Sequence, residues 1–176
     1  MTVYFLRHAS ANQHKILPKH DDLRPIDELG KQQCHEVGRA LVALGVKVDA
    51  VISSPLTRAI QTAELAVTEL GYKDRIVISE ALRPEANFDQ FHDLLTHHSD
   101  SKAIMVVGHN PSITEFLLHL MTGNDPSDCV DFKKGAVAKV EVQGERGVLH
   151  WLLTPKMASR LQAVSAKSSR PKTSRK

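Results

Sequence analysis

Short apolar runs alternate with longer amphipathic segments along most of the chain, and this alternation restricts the possible folds more than any other feature of the sequence. Runs typical of buried strands occur at residues 3–6, 50–52, 76–78 and 103–107. Apolar residues at helical spacing predict helices over residues 28–44, 56–70, 88–97 and 112–120. Because strands that alternate with helices form a parallel sheet covered on both faces, we expect a three-layer α/β/α sandwich.

The pattern changes after Gly123, where strand-like alternation replaces helical spacing. Valines alternate with other residues over 136–142, the turn-like sequence Gln-Gly-Glu follows at 143–145, and the apolar pattern resumes over 147–153. We expect these two segments to form a C-terminal hairpin that closes a mostly parallel sheet.

The size and composition of the chain predict one folded domain. A chain of 176 residues with 41% hydrophobic residues can bury a single core, and we place that domain at residues 1–155. Seven of the 23 Lys and Arg residues lie in the segment 156–176, which has no acidic residue, so residues 1–155 carry 16 basic against 20 acidic groups. Since that segment is rich in serine and poor in large apolar side chains, we expect residues 156–176 to form a basic, disordered tail.

Composition also restricts the partners and the compartment. Aromatic residues make up only 5% of the chain, so we expect neither a base-stacking surface nor a nucleic-acid partner, apart from nonspecific attraction to the tail. The longest apolar stretches are too short to span a bilayer, and we expect no membrane segment and no signal peptide. Cys34 and Cys129 lie far apart without zinc-site spacing. These features predict a reduced, cytoplasmic protein, with a single disulfide as the alternative.

Basic side chains and imidazoles follow three of the predicted strands. Arg7 and His8 directly follow the first strand, Arg58 lies in the first turn after the second, and His109 directly follows the fourth. Because the carboxyl ends of parallel strands meet at one sheet edge, we expect these side chains to converge. Guanidinium groups grip the oxygens of a tetrahedral oxyanion in bidentate fashion. The sequence therefore predicts a phosphate pocket at this edge.

Two predicted helix starts supply further donors. Ser54-Pro55 and Asn110-Pro111 each follow a strand. We expect Ser54 and Asn110 to cap a helix and proline to occupy the first helical position, where its missing amide hydrogen costs nothing. Backbone amides at a helix start bind anions. We therefore expect Ser54 and Asn110 to belong to the substrate-binding part of the pocket.

The residue types at the strand ends indicate metal-free chemistry. They are Arg, His, Ser and Asn, so a two-metal phosphoesterase would lack its carboxylate ligands, and we expect neither a metal nor another cofactor. A phosphoryl pocket that holds imidazoles and no thiolate favours an imidazole nucleophile that carries the group covalently. His8 is the better candidate because it adjoins Arg7, and His109 would donate a hydrogen bond to the transferring group. Spacing alone leaves the assignment between the two histidines open.

Four segments of the chain resemble motifs of the histidine phosphatase superfamily. Leu6-Arg7-His8-Ala9-Ser10 resembles its signature, in which a Gly usually stands at the position of Ala9. Residues 53–63 are similar to the second motif of the superfamily, and residues 108–111 to its second histidine block. Residues 24–30 resemble the Arg-Pro-Leu-Thr-x-x-Gly stretch of the short SixA-type phosphohistidine phosphatases.

The resemblance implies a role for each of the clustered side chains. It implies that Arg7, Arg58 and His109 bind phosphate beside His8, and that His8 is transiently phosphorylated. Arg24 would be either a solvated loop charge or a contact to the substrate phosphate at the rim of the pocket.

The resemblance leaves the proton donor open. The larger mutase and acid phosphatase members use an acidic residue after the third strand, and the nearest candidates in this chain are Glu80 and Glu85. An alkoxide needs such a donor, whereas an imidazole that is protonated on its far nitrogen departs readily. We therefore expect a phosphorylated protein, with phosphohistidine as the reacting group, to be the leading substrate.

Three other functions stay open on the sequence alone. A small-molecule phosphomonoesterase of the same superfamily would need Glu80 or Glu85 as a working acid. A mutase would have to hold the phosphoenzyme until a second acceptor arrives. A noncatalytic module would bind phosphate, or nucleic acid through the tail, without turnover.

Overall fold

A computed structural model of the protein describes residues 1–11, 18–123 and 130–168. The strands are β1 (Thr2–Arg7), β2 (Ala50–Ser53), β3 (Val77–Ile78), β4 (Ala103–Gly108), β5 (Val137–Gln143) and β6 (Arg146–Leu153). The helices are α1 (Glu28–Ala43), α2 (Thr57–Glu69), α3 (Phe88–His97), α4 (Ser112–Thr122) and α5 (Pro155–Ser168). Short 3₁₀ helices cover Pro18–Leu23 and Glu80–Leu82.

The strands form one six-stranded sheet in the order β3-β2-β4-β1-β5-β6. Strands β1 to β4 pair in parallel, whereas β5 pairs antiparallel with both β1 and β6. Arg7 lies opposite Gly108, and Ser53 lies opposite Val107, so β1, β2 and β4 end at nearly the same level. The mostly parallel sheet and its C-terminal hairpin are confirmed.

Side chains of β1 divide the core into two layers. Val3 and Phe5 pack into a cluster with residues of α3 and α4. Tyr4 and Leu6 point to the opposite face and join a cluster built by α1, α2 and α5. Since consecutive strand residues face opposite sides of a sheet, this alternation buries β1 on both faces. The expected three-layer α/β/α sandwich is confirmed.

The N-terminal caps of two helices differ from those that the sequence predicts. The N-cap of α2 is Leu56, in extended conformation with no side-chain cap, and the N-cap of α4 is Pro111. The expectation that Ser54 caps α2 and that proline occupies the first helical position is therefore wrong. The hydroxyl of Ser54 instead lies 2.9 Å from Nε2 of His109, so a contact with the pocket replaces the helix cap.

Strand β3 differs from its prediction in burial. We expected a buried strand, but Val77 is 44% exposed and Ile78 is 47% exposed. The strand is only two residues long and lies at the edge of the sheet, where β2 is its one neighbour. An apolar run is thus not sufficient evidence of burial when the strand that it forms lies at an edge.

We expected the folded domain to end at residue 155 and a disordered tail to begin at Lys156, but the structure shows a helix in this segment. Residues 155–168 form α5, and Ala158 is fully buried against the α1 side of the sheet. Gln162 accepts a hydrogen bond from Nε of Arg39 and donates one to the carbonyl oxygen of Glu36. The composition of the segment did not predict this contact, because it rests on one small apolar residue, Ala158, and one amide side chain, Gln162. Residues 169–176 lie outside the described ranges.

The described residues also bear on the two cysteines and on membrane insertion. Cys34 has a free, buried thiol, and burial raises its pKa to about 12. Cys129 lies outside the described ranges, and so does any bond that it forms.

Within those ranges, each helix is too short or too polar to cross a bilayer.

Candidate active site

The side chains that follow β1, β2 and β4 meet at the carboxyl edge of the sheet. The rings of His8 and His109 lie with their centroids 5.0 Å apart and their planes tilted by 48°. The backbone N–H of His8 donates to the carbonyl oxygen of Gly108 at 2.9 Å, so the parallel ladder continues for one residue beyond β1. This bond ties the two histidine-bearing strand ends together and accounts for the short distance between the rings.

One hydrogen bond sets the tautomer of His8. Its Nδ1 lies 2.7 Å from the carbonyl oxygen of Ala9, and a carbonyl can only accept, so Nδ1 carries the proton. The lone pair is then on Nε2. Burial, together with the charges of Arg58 and Arg7, lowers the pKa of His8 to about 3, although the bond to Ala9 opposes the shift. The imidazole is therefore neutral at neutral pH, as a nucleophile must be.

Ser54 favours one tautomer of His109. Its Oγ accepts the N–H of Leu56 at 3.4 Å and lies 2.9 Å from Nε2 of His109. Within the described part of the chain, no other acceptor takes the hydroxyl proton of Ser54, so Oγ can donate to Nε2, and this arrangement leaves the ring proton of His109 on Nδ1. Burial lowers the pKa of His109 to about 2, and the neighbouring His8 and the guanidinium of Arg58 contribute to the shift. A neutral His109 can donate through Nδ1.

Arg7 and Arg58 are each anchored through one terminal nitrogen. Nη1 of Arg7 donates to the carbonyl oxygen of Phe132 at 2.6 Å. Nη1 of Arg58 donates to the carbonyl oxygen of Asp21 at 2.9 Å and lies 3.1 Å from the carboxylate of the same residue. Because these contacts hold the outer end of each guanidinium, the remaining nitrogens keep a defined direction.

Three buried side-chain atoms have no hydrogen-bond partner within the described part of the chain. They are Nε of Arg7, Nε of Arg58 and Nδ1 of His109. Buried donors in folded proteins are nearly always paired, so three unsatisfied donors in one place indicate a binding site for an acceptor. A phosphoryl group has three terminal oxygens, and three donors of this kind match them.

Arg24 lies behind the pocket. Its side chain is buried, Nε donates to the carboxylate of Asp21 at 2.7 Å, and Nη1 donates to the carbonyl oxygen of Ala11 at 3.0 Å. The arginine is therefore not a solvated loop charge, and its hydrogen bonds within the described residues go to Asp21 and Ala11. It joins the 3₁₀ segment that carries Asp21 to the loop after His8, and Asp21 links it to Arg58.

The start of α1 supports the same loop, and the sequence analysis did not identify this role. Oδ2 of Asp27 accepts the hydroxyl of Ser10 at 2.9 Å, and Oδ1 accepts the backbone N–H of Gly30 at 2.8 Å. A Cβ on Gly30 would come within 2.2 Å of the carbonyl oxygen of Ser10, so only glycine permits this approach. From α2, Thr62 accepts the backbone N–H of Ala9 at 3.0 Å. Asp27, Gly30 and Thr62 lie within the motif segments, but spacing does not reveal their contacts.

Within the described residues, the side chains of Asn110, Glu80 and Glu85 form no hydrogen bond with the four pocket residues. Oδ1 of Asn110 accepts the hydroxyl of Thr114 at 2.9 Å, so its side chain belongs to the start of α4. Glu80 and Glu85 are both exposed, Glu80 forms an ion pair with Arg83, and Glu85 lies 4.0 Å from the same guanidinium. Across the described residues, neither carboxylate hydrogen-bonds to the pocket, and no cluster of His, Cys, Asp and Glu is arranged to hold a metal ion.

Lys134 is a basic residue beside the pocket that the sequence analysis missed. It lies half-buried in the turn before β5, and burial lowers its pKa together with the charges of Arg7 and Arg24. The signal was available in the topology, because β5 runs antiparallel to β1 and therefore begins where β1 ends.

Comparisons with known proteins agree with this geometry. The family model of the histidine phosphatase superfamily (branch 1) matches residues 3–96. An uncharacterised protein of Picosynechococcus sp. is 32% identical over 120 residues, which cover 66% of this chain and 70% of that protein.

Solved structures share the fold at low identity. The protein histidine phosphatase SixA in complex with tungstate superposes with a TM-score of 0.79 at 23% identity, covering 89% of this chain and 98% of the other. The alpha-ribazole phosphatase from Shigella flexneri gives a TM-score of 0.72 at 16% identity, with 88% and 97% covered. At these identities the likeness establishes the fold, whereas the sequence match over residues 3–96 establishes the relationship. The chain belongs to the histidine phosphatase superfamily (branch 1) and is a phosphatase of that superfamily.

Proposed function

We propose that the protein is a metal-independent phosphatase that removes the phosphoryl group from phosphohistidine on another protein, through a phosphohistidine intermediate on His8. The observation that carries the proposal is the set of three buried, unpartnered donors on Arg7, Arg58 and His109 beside the lone pair of His8. These donors surround a nucleophile, so the same pocket can hold a phosphoryl group and react with it.

Binding is the first step. Nε of Arg7, Nε of Arg58 and Nδ1 of His109 donate to the three terminal oxygens of the phosphoryl group. Arg7, Arg24 and Arg58, with the one carboxylate of Asp21 that Arg24 and Arg58 share, balance the two negative charges of a phosphate dianion. Since all three donors are buried, their hydrogen bonds form in a low dielectric, where they are stronger than in water.

Transfer to His8 is the second step. Nε2 attacks phosphorus in line, the new P–N bond forms with its lone pair, and the bond to the substrate nitrogen breaks. The electron pair of the broken bond stays on that nitrogen. A substrate imidazole that is protonated on its far nitrogen then leaves as a neutral ring, so no proton donor is required at this step. The carbonyl oxygen of Ala9 holds the proton on Nδ1 of His8 throughout.

Hydrolysis is the third step. Water attacks the phosphorus of the phosphorylated His8, the P–N bond breaks, and its electron pair returns to Nε2. The protons of the water stay on the product phosphate or pass to solvent. His8 is again a neutral imidazole with its proton on Nδ1, which completes the cycle.

The position of the acidic residues supports phosphohistidine over an alkyl phosphate. An alkoxide leaving group requires a proton donor, and the candidates Glu80 and Glu85 are exposed and lie against Arg83. Nδ1 of His109 is committed to the phosphoryl oxygens in this mechanism. The fold shared with the protein histidine phosphatase SixA is in line with this substrate class.

A small-molecule phosphomonoesterase is the second candidate. The fold is also shared with the alpha-ribazole phosphatase, so the scaffold is compatible with phosphorylated metabolites. In that case Glu80 or Glu85 would have to leave Arg83 and donate a proton to the departing alkoxide.

The proposal is tested by comparing two substrates, a protein phosphorylated on histidine and an alkyl phosphate. We expect turnover of the first, no turnover in His8→Ala, and acid-labile phosphate on His8 in a rapidly quenched reaction. The phosphoenzyme should lose its group to water rather than to an added acceptor. Full turnover in His8→Ala would reject the enzyme mechanism, and fast alkyl phosphate hydrolysis that is lost in Glu80→Gln or Glu85→Gln would favour the second candidate.

A further inference from the structure

Lys134 is held next to the catalytic pair, although the proposed reaction gives it no task. The backbone on either side of this residue is bonded to β1. Nη1 of Arg7 donates to the carbonyl oxygen of Phe132 at 2.6 Å, and the N–H of Gly135 reaches the carbonyl oxygens of Arg7 and His8, both at 3.1 Å. The position of Lys134 is therefore tied to the two residues that bind and attack the phosphoryl group.

The surroundings of Lys134 are cationic. The side chain is half-buried, and the charges of Arg7, Arg24 and Arg58 act on it, while the carboxylate of Asp27 acts in the opposite sense without forming an ion pair with it. The charge of Lys134 in turn acts on His8. Within the described ranges its ammonium forms no ion pair, whereas the neighbouring Lys133 is 63% exposed and pairs with Asp131 at 2.5 Å. A partly desolvated cation without a counter-ion is costly, so its position indicates a charge that arrives with the substrate.

The phosphoryl group does not need this charge. Its three terminal oxygens are matched by the donors of Arg7, Arg58 and His109. Arg24 and Arg58 share the single carboxylate of Asp21, so the three guanidiniums and this carboxylate together balance a phosphate dianion. Lys134 is thus a surplus cation beside a site that is complete for a phosphate dianion.

We propose that Lys134 is a specificity-determining residue that binds a second anionic group of the substrate, namely a carboxylate close to the phosphorylated side chain. The inference rests on the proposed function and narrows its substrate class to phosphohistidine with an acidic neighbour. An ammonium on a flexible stem suits this task, because it follows a carboxylate whose distance from the phosphoryl group varies between conformers.

The experiment uses two phosphohistidine peptides that differ only in an Asp or an Asn beside the phosphohistidine. The wild type should prefer the Asp peptide. Lys134→Met should lower kcat/KM for the Asp peptide by about tenfold, through KM, and leave the Asn peptide nearly unchanged, because a hydrogen bond between charged groups contributes at least that factor. Lys134→Arg should keep the preference. The matched control, Lys133→Met, removes one positive charge from the adjacent residue and should also keep it.

Three results would overturn the inference. The wild type could show no preference between the peptides, Lys134→Met could lower both activities equally, or Lys133→Met could abolish the preference as fully as Lys134→Met does. A parallel pair of aryl phosphates, with and without a ring carboxylate, separates this inference from the proposed function. If neither peptide is hydrolysed but the carboxylated aryl phosphate is preferred and Lys134→Met removes that preference, Lys134 has the inferred role and phosphohistidine is not the substrate.

Discussion

At the scale of single residues, the pocket depends on two tautomers, each set by one hydrogen bond. The carbonyl oxygen of Ala9 keeps the proton of His8 on Nδ1, and the hydroxyl of Ser54 directs the proton of His109 to Nδ1. In His8 the lone pair is left for attack, and in His109 the donor is left for the phosphoryl oxygens. The imidazole therefore acts as a nucleophile in His8 and as a hydrogen-bond donor in His109, because the ring nitrogen that does not face the phosphoryl group has a different partner in each residue.

Ser54 provides a test of this assignment. Ser54→Ala should lower kcat by about tenfold, and His109→Ala by about a hundredfold or more, since loss of one donor to a developing oxyanion has an effect of that order. If Ser54 acts only through His109, Ser54→Ala should have no further effect in a His109→Ala background. Kinetics of the two single variants and the double variant check this. Fully additive losses would show that Ser54 acts independently of His109.

Burial of the two histidines makes stability depend on pH. The pKa of His8 is lowered from 6.5 to about 3 and that of His109 to about 2. The unfolded chain therefore binds more protons than the folded protein between about pH 3 and pH 6.5, and the free energy of unfolding must fall as the pH falls through this window.

Each histidine contributes at most about 1.4 kcal/mol per pH unit to that dependence. Urea unfolding at several pH values between 4 and 7 should give a steeper decline for the wild type than for His8→Asn, because asparagine does not titrate. Parallel curves for the two proteins would contradict a lowered pKa at this position.

At the scale of secondary structure elements, α1 holds the loop that carries His8. Asp27 caps the helix and binds Ser10 with its second oxygen, and Gly30 lets the first turn approach the backbone of that loop. The motif segment 24–30 is therefore a structural support in addition to any contact with substrate. None of the three unpartnered donors belongs to α1. The distances between the pocket residues nevertheless depend on how α1 packs against the loop after His8.

Gly30→Ala tests the close approach. The added methyl group would lie 2.2 Å from the carbonyl oxygen of Ser10, so α1 or the loop has to move. We expect a loss of about 1–3 kcal/mol in the free energy of unfolding and a lower kcat. Lys31→Ala, at an exposed position on the same helix, should change stability by less than about 0.5 kcal/mol. Equal stability of the two variants in urea unfolding would contradict the contact.

At the scale of the whole molecule, α5 extends the folded region beyond the boundary that composition predicts. Ala158 is fully buried, and Gln162 is hydrogen-bonded to α1. The helix covers part of the layer that also contains Tyr4 and Leu6 of β1. It therefore contributes to the core that supports the strand leading to His8.

Ala158→Asp should destabilise the whole fold. A carboxylate at this buried position would lose its hydration among apolar side chains, so we expect the free energy of unfolding to fall by at least about 2 kcal/mol. Arg160→Ala, at an exposed position of α5, is the matched control and should be nearly neutral. Thermal or urea unfolding measures both. A neutral Ala158→Asp variant would show that α5 does not dock as described.

Particular residues show where prediction from the sequence succeeded and where it did not. Arg7, His8 and His109 were placed at one edge because they directly follow buried strands, and the direction of parallel strands leaves no alternative. Lys134 was missed because its link to the pocket depends on the antiparallel pairing of β5 with β1, a contact between distant parts of the chain. Glu80 was a candidate by its place after β3, but its ion pair with Arg83 is a matter of side-chain packing.

The sequence by itself determined the layered fold, the strand ends that carry the cations and imidazoles, and the superfamily, because local periodicity and short motifs encode these features. Only the tertiary structure decided which nitrogen of each histidine is protonated, which donors are left unpaired and how α5 docks. Those features depend on distances between residues that are remote in sequence, such as the 2.9 Å between Ser54 and His109. A shift of less than an ångström in atomic position changes which atoms hydrogen-bond and which are buried. A pattern of residue types does not record distances on that scale.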